Sequence, residues 1–528
     1  MNDSNHDLMR TIFRNSFWST FASIASPILA FLFGGLTIRY VGIEAAGFSM
    51  AVGSILGIAG RFGTLGIGDA VLPAMAAAIG AGDSDRVRRL VGTLFMAAIL
   101  SSCLTAAAII MFAEPIVAWT RTTVPTSVAI TFIMISAVST VLGSLSGTMT
   151  GILSSACRHD LVTKVLLPLS TLSGITGCIL VPLFPSLITV ALIGFVTGLL
   201  TVFIVFAVAR RVVPETVRPT LSLVDLPSLA RYGFWISLTR MLSAMTGGID
   251  DLMITAACGS AAVPPWSICK KLWLTVHTFL AQHTEHLIPT LGAVREKSRQ
   301  TFESISDGMH WYVAVVAAAG YTFMAWAGPA IIAAAAGGKV AALCEIPLSS
   351  YSALGIFYAL NIIPVIFAMA LSDAKPGFVI SLFANSAQLL AVVALVRTLG
   401  VPAAYYAPLF AIPFLIASLG TTSSRLLDPG LVWRRIRPVL VPLGYGLAGV
   451  ISSLAIPETS TLVERAIVGA VLSPCVLALI LLTERHFAVN ARFHEQLLRV
   501  ARHAIGLVGQ TSQVAWATLF PGTVEPRQ

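Results

Sequence analysis

Four ionisable side chains lie within an otherwise apolar stretch of the sequence, GGIDDLMITAACGSAAVPPWSICKKL. Asp250 and Asp251 precede a turn centred near Ser260, and Lys270 and Lys271 follow it. Each pair lies about ten residues from the turn, so two antiparallel helices, at ~1.5 Å of rise per residue, bring both pairs to the same depth. Ionisable groups at membrane depth are costly and mark places where charged species bind or move. The spacing therefore predicts a charged site inside a hairpin of two membrane-spanning helices.

The helix predicted after this turn, KKLWLTVHTFLAQHTEHLIP, is too polar to face lipid on all sides. At helical spacing one stripe carries Lys271, Thr275, Thr278, Gln282 and Glu285, with Lys270 and His277 beside it. Such a stripe on a spanning helix faces a water-filled cavity or the protein interior. Two interpretations stay open: the lysines bind an anion in a cavity, or they neutralise the two aspartates across the hairpin. The segment HTEH lacks the spacing of a zinc site, so we predict no metal.

Two arginines in predicted spans extend the charged region. Arg240 lies eleven residues before Asp251 in the sequence. That separation is about three helical turns, or ~16 Å, which is too far for a direct ion pair. Arg61 lies in the second predicted span. Together with the lysines, these arginines predict a cationic lumen that attracts a diphosphate or acidic sugars. For Arg61 an ion pair with Asp69, or snorkelling to the cytoplasmic face, is an equally open interpretation.

Composition indicates a membrane protein. Hydrophobic residues make up 56% of the 528-residue chain and charged residues only 11%. Soluble domains carry roughly 25% charged residues, whereas apolar segments of about 18–25 residues between short charged loops are typical of polytopic membrane proteins. The pattern predicts an all-α polytopic membrane protein with about fourteen transmembrane helices. Their predicted ranges are 17–38, 44–66, 90–112, 128–153, 165–183, 188–208, 233–257, 263–292, 309–334, 348–370, 378–396, 403–420, 439–456 and 466–483.

The basic residues predict the orientation. With a cytoplasmic N-terminus and alternating spans, roughly 24 lysines and arginines fall in inside segments and about five in outside loops, as the positive-inside rule requires. Both termini are then cytoplasmic. The net charge of +9 accordingly reflects membrane topology, and we predict no nucleic-acid partner.

The chain also carries a weak internal repeat. The segments YVGIEAAGF at 40–48 and ACGSAAVPP at 257–265 share a glycine followed by small residues. Six predicted spans separate the copies, so they have the same orientation, an arrangement that recurs in secondary transporters with the substrate site between the copies. Chance similarity among apolar helices is the competing interpretation. The predicted organisation is an N-terminal six-helix bundle at 1–209, a cytoplasmic linker at 210–232, a C-terminal six-helix bundle at 233–420, two additional transmembrane helices at 421–483 and a cytoplasmic amphipathic tail at 484–528.

This layout resembles the multidrug/oligosaccharidyl-lipid/polysaccharide (MOP) exporter superfamily, and within it the Wzx-type oligosaccharide flippases of bacterial polysaccharide biosynthesis. The segment YVGIEAAGFSMAVGSILGIAGRFGTLGIGDAVLPAMAAAIGAGD resembles their first-to-second helix pattern. The charged hairpin resembles their seventh-to-eighth helix pattern, in which an aspartate precedes an apolar run, a small-residue turn and a helix. Asp251 departs from that pattern, as does the pair Pro264 and Pro265, where the family more often has Gly-Tyr.

The resemblance implies a flippase in the bacterial inner membrane that works by alternating access. Its substrate would be an undecaprenyl-diphosphate-linked oligosaccharide repeat unit, with membrane lipids and a polysaccharide polymerase or export machinery as partners and no cofactor. Arg61, Arg240 and the two lysines would then hold the substrate. Asp250, Asp251 and Glu285 would couple transport to a gradient or pair with the cations.

Three other functions stay open. A peptidoglycan-precursor flippase and a MATE-like drug or cation antiporter belong to the same superfamily, although the scarcity of carboxylates in the first six spans counts against the antiporter. A membrane glycan polymerase or ligase is a different class. The sequence contains no GxSxG, P-loop, dinucleotide or HExxH motif, which favours a transporter over an enzyme.

Overall fold

The computed structural model describes most of the chain between residues 26 and 487. The described residues are 26–63, 71, 74–76, 78–79, 81–156, 158–217, 220, 241–242, 245, 247–285, 299–370, 375–420, 429–455 and 461–487. Arg240, Asp69 and residues 488–528 of the predicted tail lie outside them, as do the side chains of Arg61 and Glu285. Within the described ranges all regular structure is helical.

The α-helices are numbered in chain order. They are α1 Ser26–Val41, α2 Ile43–Gly63, α3 Ser84–Met111, α4 Ala113–Thr120, α5 Thr126–Ser155, α6 His159–Leu183, α7 Leu187–Val212, α8 247–258, α9 Val263–Glu285, α10 Arg299–Ala336, α11 Gly338–Leu360, α12 Ile362–Ala370, α13 Lys375–Leu399, α14 Pro402–Tyr406, α15 Ile412–Ser418, α16 Pro429–Ser452 and α17 Leu462–Phe487. Below, the first half denotes α1 to α7 and the second half denotes α8 to α17.

The predicted fold class is confirmed. Each of the fourteen predicted spans overlaps one or more of these helices. In the described part of the chain, ten helices are long and apolar enough to cross a membrane. The polar helix α9 is not among the ten, because its sequence KKLWLTVHTFLAQHTE alternates apolar residues with lysine, threonine, histidine and glutamine. A multi-pass all-α membrane protein therefore follows from both the sequence and the structure.

The first half has its own apolar core. Helix α5 packs along α7 and α3, and α6 packs on α7. Phe48, Phe132 and Ile133 are buried in a cluster that joins α2 to α5. The rings of Phe48 and Phe132 are 5.8 Å apart, so α2 is held firmly against the rest of this half.

The second half is built around α10. This helix packs against α11, α16 and α17. Glycines on the last two helices allow the close approach, because an added Cβ at Gly446 would lie 2.8 Å from Cβ of Ala318, and one at Gly469 would lie 2.9 Å from Cβ of Trp326. The Trp326 indole N–H donates a hydrogen bond to the carbonyl of Gly449 at 2.9 Å. The C-terminal pair of helices is thus packed on the centre of the second half.

The two halves meet through α1 and α2 on one side and α8, α9 and α10 on the other. Gly47 of α2 lies so close to the turn after α8 that an added Cβ would overlap the carbonyl oxygen of Ser260. At Gly35 of α1, an added Cβ would lie 2.5 Å from Cβ of Ala335. Buried apolar side chains from both halves surround these contacts, among them Phe31, Ile38, Ala46, Cys269, Leu272 and Ile332.

We predict that Gly47→Ala lowers thermal stability. The methyl group would force α2 away from the Ser260 turn, and overpacking of this kind costs about 1–3 kcal/mol. The measurement is the midpoint of thermal unfolding of the purified protein in detergent. Gly57→Ala is the matched control on the same helix, because an added Cβ there meets no atom within 4 Å. Equal midpoints for the two variants would contradict the predicted contact.

Candidate functional site

The helices α8 and α9 form an antiparallel hairpin that brings the predicted charges together. Gly259 opens the turn with a φ of +85°, a backbone conformation that favours glycine. A short 3-10 segment, Ser260–Ala262, completes it. Across the hairpin, Lys270 Nζ lies 3.9 Å from Oδ2 of Asp250 and 3.9 Å from Oδ1 of Asp251. One of the two lysines, Lys270, therefore lies in ionic contact with both carboxylates.

Both aspartates of this contact are buried. The exposed fraction is 1% for Asp250 and 6% for Asp251. Lys270 Nζ also donates a hydrogen bond to the carbonyl of Gly247. Within the described part of the chain, Oδ1 of each aspartate has no hydrogen-bond partner. Since buried charge is costly unless it is paired, the position of Lys270 matches the interpretation in which this lysine neutralises the aspartates.

A hydrogen bond from the first half also reaches this ionic group. Ser54 of α2 donates from Oγ to Oδ2 of Asp251 at 2.8 Å. Gly248 of α8 lies close to the same region of α2, since an added Cβ there would be 3.1 Å from Cδ1 of Ile58. The Ser54–Asp251 bond is therefore a polar connection between the two halves of the protein.

Lys271 points into a cavity between the halves. The cavity has a volume of about 600 Å³, in the ~300–1,000 Å³ range of small-molecule sites. Its lining comes from α1, α2 and α7 of the first half and from α8 and α9 of the second. The lining residues are Ala30, Phe33, Gly34, Thr37, Ser49, Met50, Gly53, Ser54, Gly57, Ile58, Val190, Gly247, Gly248, Asp251, Ser267 and Lys271.

Glycines, which have no side chain, leave much of this cavity open. An added Cβ at Gly53, Gly57 or Gly247 would meet no atom within 4 Å. At Gly34, an added Cβ would lie 3.2 Å from Nζ of Lys271. Among the described residues, no carboxylate oxygen lies within 4 Å of that ammonium. The cavity thus combines open space with a cation whose donors face it.

Two hydroxyl groups at the site were not predicted from the sequence. Ser267 lines the cavity one helical turn before Lys271, so extending the polar stripe of α9 backwards by four residues would have found it. Ser54 contacts Asp251 from 197 residues away in the sequence, and no local pattern predicts such a contact. Ser49 also lines the cavity, but its hydroxyl donates to the carbonyl of Ala46 in its own helix.

The remaining residues of the predicted stripe are placed elsewhere or lie outside the described part. Thr275 is half-buried and donates to the carbonyl of Lys271. His277 stacks on Trp273, with the ring centroids 5.4 Å apart, in an aromatic group that includes Tyr358. The side chain of Gln282 lies outside the described part of the chain, as does that of Glu285. In the described residues, no group of three histidine, cysteine, aspartate or glutamate side chains is arranged to hold a metal ion.

This arrangement can bind an anion next to hydroxyl groups. A lysine ammonium is a compact charge with three donors. Ser54 of the first half and Ser267 of the second both line the cavity, and Asp251 is already engaged by Ser54 and Lys270. A ligand with an anionic oxygen group and neighbouring hydroxyls therefore matches the chemistry of the lining.

We predict that Ser54→Ala destabilises the contact between the halves. The substitution leaves Oδ2 of the buried Asp251 without its donor, which costs about 1–3 kcal/mol. Thermal unfolding should show a lower midpoint for Ser54→Ala than for the control Ser49→Ala, whose hydroxyl bonds only within its own helix. In an Asp251→Asn background the effect of Ser54→Ala should shrink. Equal midpoints for the two serine variants would refute the role of the bond.

We predict different consequences for the loss of each lysine. Lys270→Met leaves two buried carboxylates without their cation, at a cost of about 3–5 kcal/mol, so little monodisperse protein should be recovered. Asp250→Asn combined with Lys270→Met should restore part of the yield, because one buried charge is removed. Lys271→Met should be recovered like the wild type. Size-exclusion chromatography of the solubilised protein measures this, and equal loss for the two lysine variants would contradict the assignment.

Solved structures of membrane transporters share this fold. A lipid II flippase, MurJ, in an inward closed conformation has a TM-score of 0.70 at 13% identity, covering 89% of this chain and 99% of that chain. An inward-facing MATE family multidrug resistance transporter of the MOP superfamily has a TM-score of 0.63 at 13% identity, covering 84% of this chain and 100% of that chain. A mutant of the Vibrio cholerae MATE transporter VcmN has a TM-score of 0.53 at 16% identity, covering 86% and 99%. At these identities the likeness establishes the fold alone.

The sequence matches a family that is defined by polysaccharide biosynthesis. No curated protein has a sequence that matches this chain. The family described as "Polysaccharide biosynthesis protein" matches residues 75–340, half of the chain, including the whole of α8 and α9. The chain therefore belongs to the polysaccharide biosynthesis protein family, and it shares its fold with a transporter of the MOP superfamily.

Proposed function

We propose that the protein is a flippase for undecaprenyl-diphosphate-linked oligosaccharide repeat units. It would move them from the cytoplasmic to the outer leaflet of the bacterial inner membrane for surface polysaccharide synthesis. The observation that carries this proposal is the cavity between the halves, with Lys271 in its wall. Membership of the polysaccharide biosynthesis family and the transporter fold support it.

The substrate and the cavity match in chemistry. The diphosphate requires a cation, and the adjoining sugar requires hydrogen-bonding groups. Lys271 supplies a cation, while Ser54 and Ser267 supply hydroxyls. A cavity of about 600 Å³ accommodates a ligand of drug size, which corresponds to a diphosphate with the first sugar and not to a long oligosaccharide. The outer sugars and the lipid tail would therefore extend beyond the cavity.

With the proposed orientation, this conformation is a state of the transport cycle in which the cavity is closed towards the outside of the cell. With both termini cytoplasmic, the turns at Gly42 and Gly259 face the outside of the cell. The close contact between Gly47 and Ser260 lies beside those turns, so it would close the cavity towards the outside. Separation of α2 from the Ser260 turn would then open the outer side during alternating access. Arg61 and Arg240 remain predicted contributors to the cationic lumen, and Asp250, Asp251 and Glu285 remain candidates for coupling.

The first test is a deletion of the gene in the bacterium that carries it. We expect intact lipid-linked repeat units to accumulate on the cytoplasmic leaflet of the inner membrane while surface polysaccharide is lost. Lipid-linked oligosaccharide and surface polymer are quantified in parallel. Complementation with wild-type protein should restore the polymer, and complementation with Ser49→Ala should do the same, because that hydroxyl bonds within its own helix.

Other outcomes of the deletion would reject the proposal. Normal lipid-linked pools with normal polymer would overturn it and favour drug or cation export. Loss of viability with accumulation of the peptidoglycan precursor would instead identify a flippase for that precursor. Accumulation of flipped but unpolymerised units on the outer leaflet would point to a polymerase or ligase.

A further inference from the structure

We propose that Gly34 positions Lys271, so that the anion site is assembled by the two halves together. The absence of a side chain at Gly34 of α1 lets the ammonium of α9 lie in the cavity. The site would take a phosphate-type oxyanion, such as the diphosphate of a carrier lipid. This inference rests on the proposed function, and it assigns different roles to two adjacent lysines and a role to a glycine of the opposite half.

The two lysines are adjacent in sequence but have different surroundings. Successive residues of a helix point about 100° apart. Lys270 is turned towards α8, where its ammonium contacts Asp250, Asp251 and the carbonyl of Gly247. Lys271 is turned towards α1 and lines the cavity. Lys270 is thus in contact with both carboxylates, whereas among the described residues the ammonium of Lys271 has no carboxylate oxygen within 4 Å and keeps its donors for a ligand.

Gly34 fixes how the ammonium of Lys271 is placed. An added Cβ at Gly34 would lie 3.2 Å from Nζ of Lys271, which is tighter than an ordinary van der Waals contact of about 3.5–4.0 Å. An alanine at this position would shift the ammonium, the end of a flexible side chain, by a few tenths of an ångström away from α1. The chain of the first half therefore forms the wall against which the cation of the second half rests.

The surroundings of this ammonium match an oxyanion in size and charge. Ser267 lies one turn earlier on α9 and lines the same cavity. Beside them, Gly53 and Gly247 leave open space where no side chain intrudes. The two aspartates and two lysines of the hairpin sum to zero formal charge, so anion binding by the hairpin depends on the placement of Lys271.

The location of the site across the halves has a consequence for transport. Gly34 belongs to the first half and Lys271 to the second, so a rotation that separates α1 from α9 removes the wall behind the ammonium. The oxyanion site is then complete only when the halves are arranged as in this structure. Ligand affinity is thereby coupled to conformation without any further residue.

The test is a double-mutant cycle on the purified full-length protein in lipid nanodiscs. Farnesyl diphosphate is the probe for the diphosphate, and methyl glucuronide is the probe for an acidic sugar. We expect Lys271→Ala to weaken diphosphate binding about 10- to 100-fold, as for loss of a charge-assisted hydrogen bond. Gly34→Ala should weaken binding less than that, and the double variant should bind no more weakly than Lys271→Ala alone.

The control is Gly143→Ala, which adds a methyl group to α5, outside the cavity lining, at a position where it meets no atom within 4 Å. It should bind like the wild type. Unchanged binding by Gly34→Ala would overturn the positioning role. An equal further loss when Gly34→Ala is added to Lys271→Ala would also overturn it, because Gly34 would then act independently of Lys271, through packing. Binding of methyl glucuronide alone, weakened by both substitutions, would assign the site to an acidic sugar and overturn the diphosphate.

A second measurement needs no substitution. Reductive methylation of the wild type, quantified by mass spectrometry, should modify Lys271, and farnesyl diphosphate should protect it. Lack of protection would overturn the assignment of the oxyanion to Lys271. A wild type that binds neither probe would overturn the anion site and with it the proposed function, whereas diphosphate binding that Gly34→Ala leaves intact overturns only the role of Gly34.

Discussion

The burial of two adjacent carboxylates is the constraint on which the rest of the site depends. Asp250 and Asp251 are almost entirely removed from solvent, and burial of unpaired charge is costly. Lys270 must therefore stay across from them, which fixes the register between α8 and α9. That register in turn decides where the next residue, Lys271, is directed. A shift of α9 by one residue that brought Lys271 opposite the aspartates would place Leu272 at the cavity and leave it without this cation.

The contact between the halves is close in geometry, and among the described residues its polar bonding is modest. Glycines at positions 34, 35 and 47 bring backbone of the first half against the second, and apolar side chains such as Phe31 and Leu272 fill the interface. The described polar connection is the Ser54–Asp251 bond, and a single hydrogen bond contributes only about 0.5–1.5 kcal/mol. The close backbone approach makes the interface specific in shape. A transporter that alternates between conformations also requires an interface that can open, and a strong network of ion pairs between the halves would hold one state.

The fold followed from the sequence, whereas the site followed only in part. Transmembrane spans can be predicted from the sequence because a bilayer requires long apolar helices. The hairpin can be predicted because Gly259 and the spacing of the charges indicate its turn. Helical periodicity separates Lys270 from Lys271 by direction, but it does not say which direction meets a carboxylate. The roles of Gly34 and Ser54 depend on contacts between helices far apart in the sequence. Ser267 is an intermediate case, since it was not predicted but lies where the predicted polar stripe would continue, one turn before Lys271.

The chemistry of the cavity suggests how the proposed flippase divides recognition between the parts of its substrate. The diphosphate is common to all units carried by one lipid, and the described cavity offers it an ammonium of fixed position. The sugars meet hydroxyls and glycines, which restrict size more than identity. Charged recognition of the constant part gives affinity, while the open glycine-lined space tolerates the variable part. Because the ammonium is held between α1 and α9, that affinity belongs to one arrangement of the halves, and a ligand with different affinities for two states is what shifts the equilibrium between them.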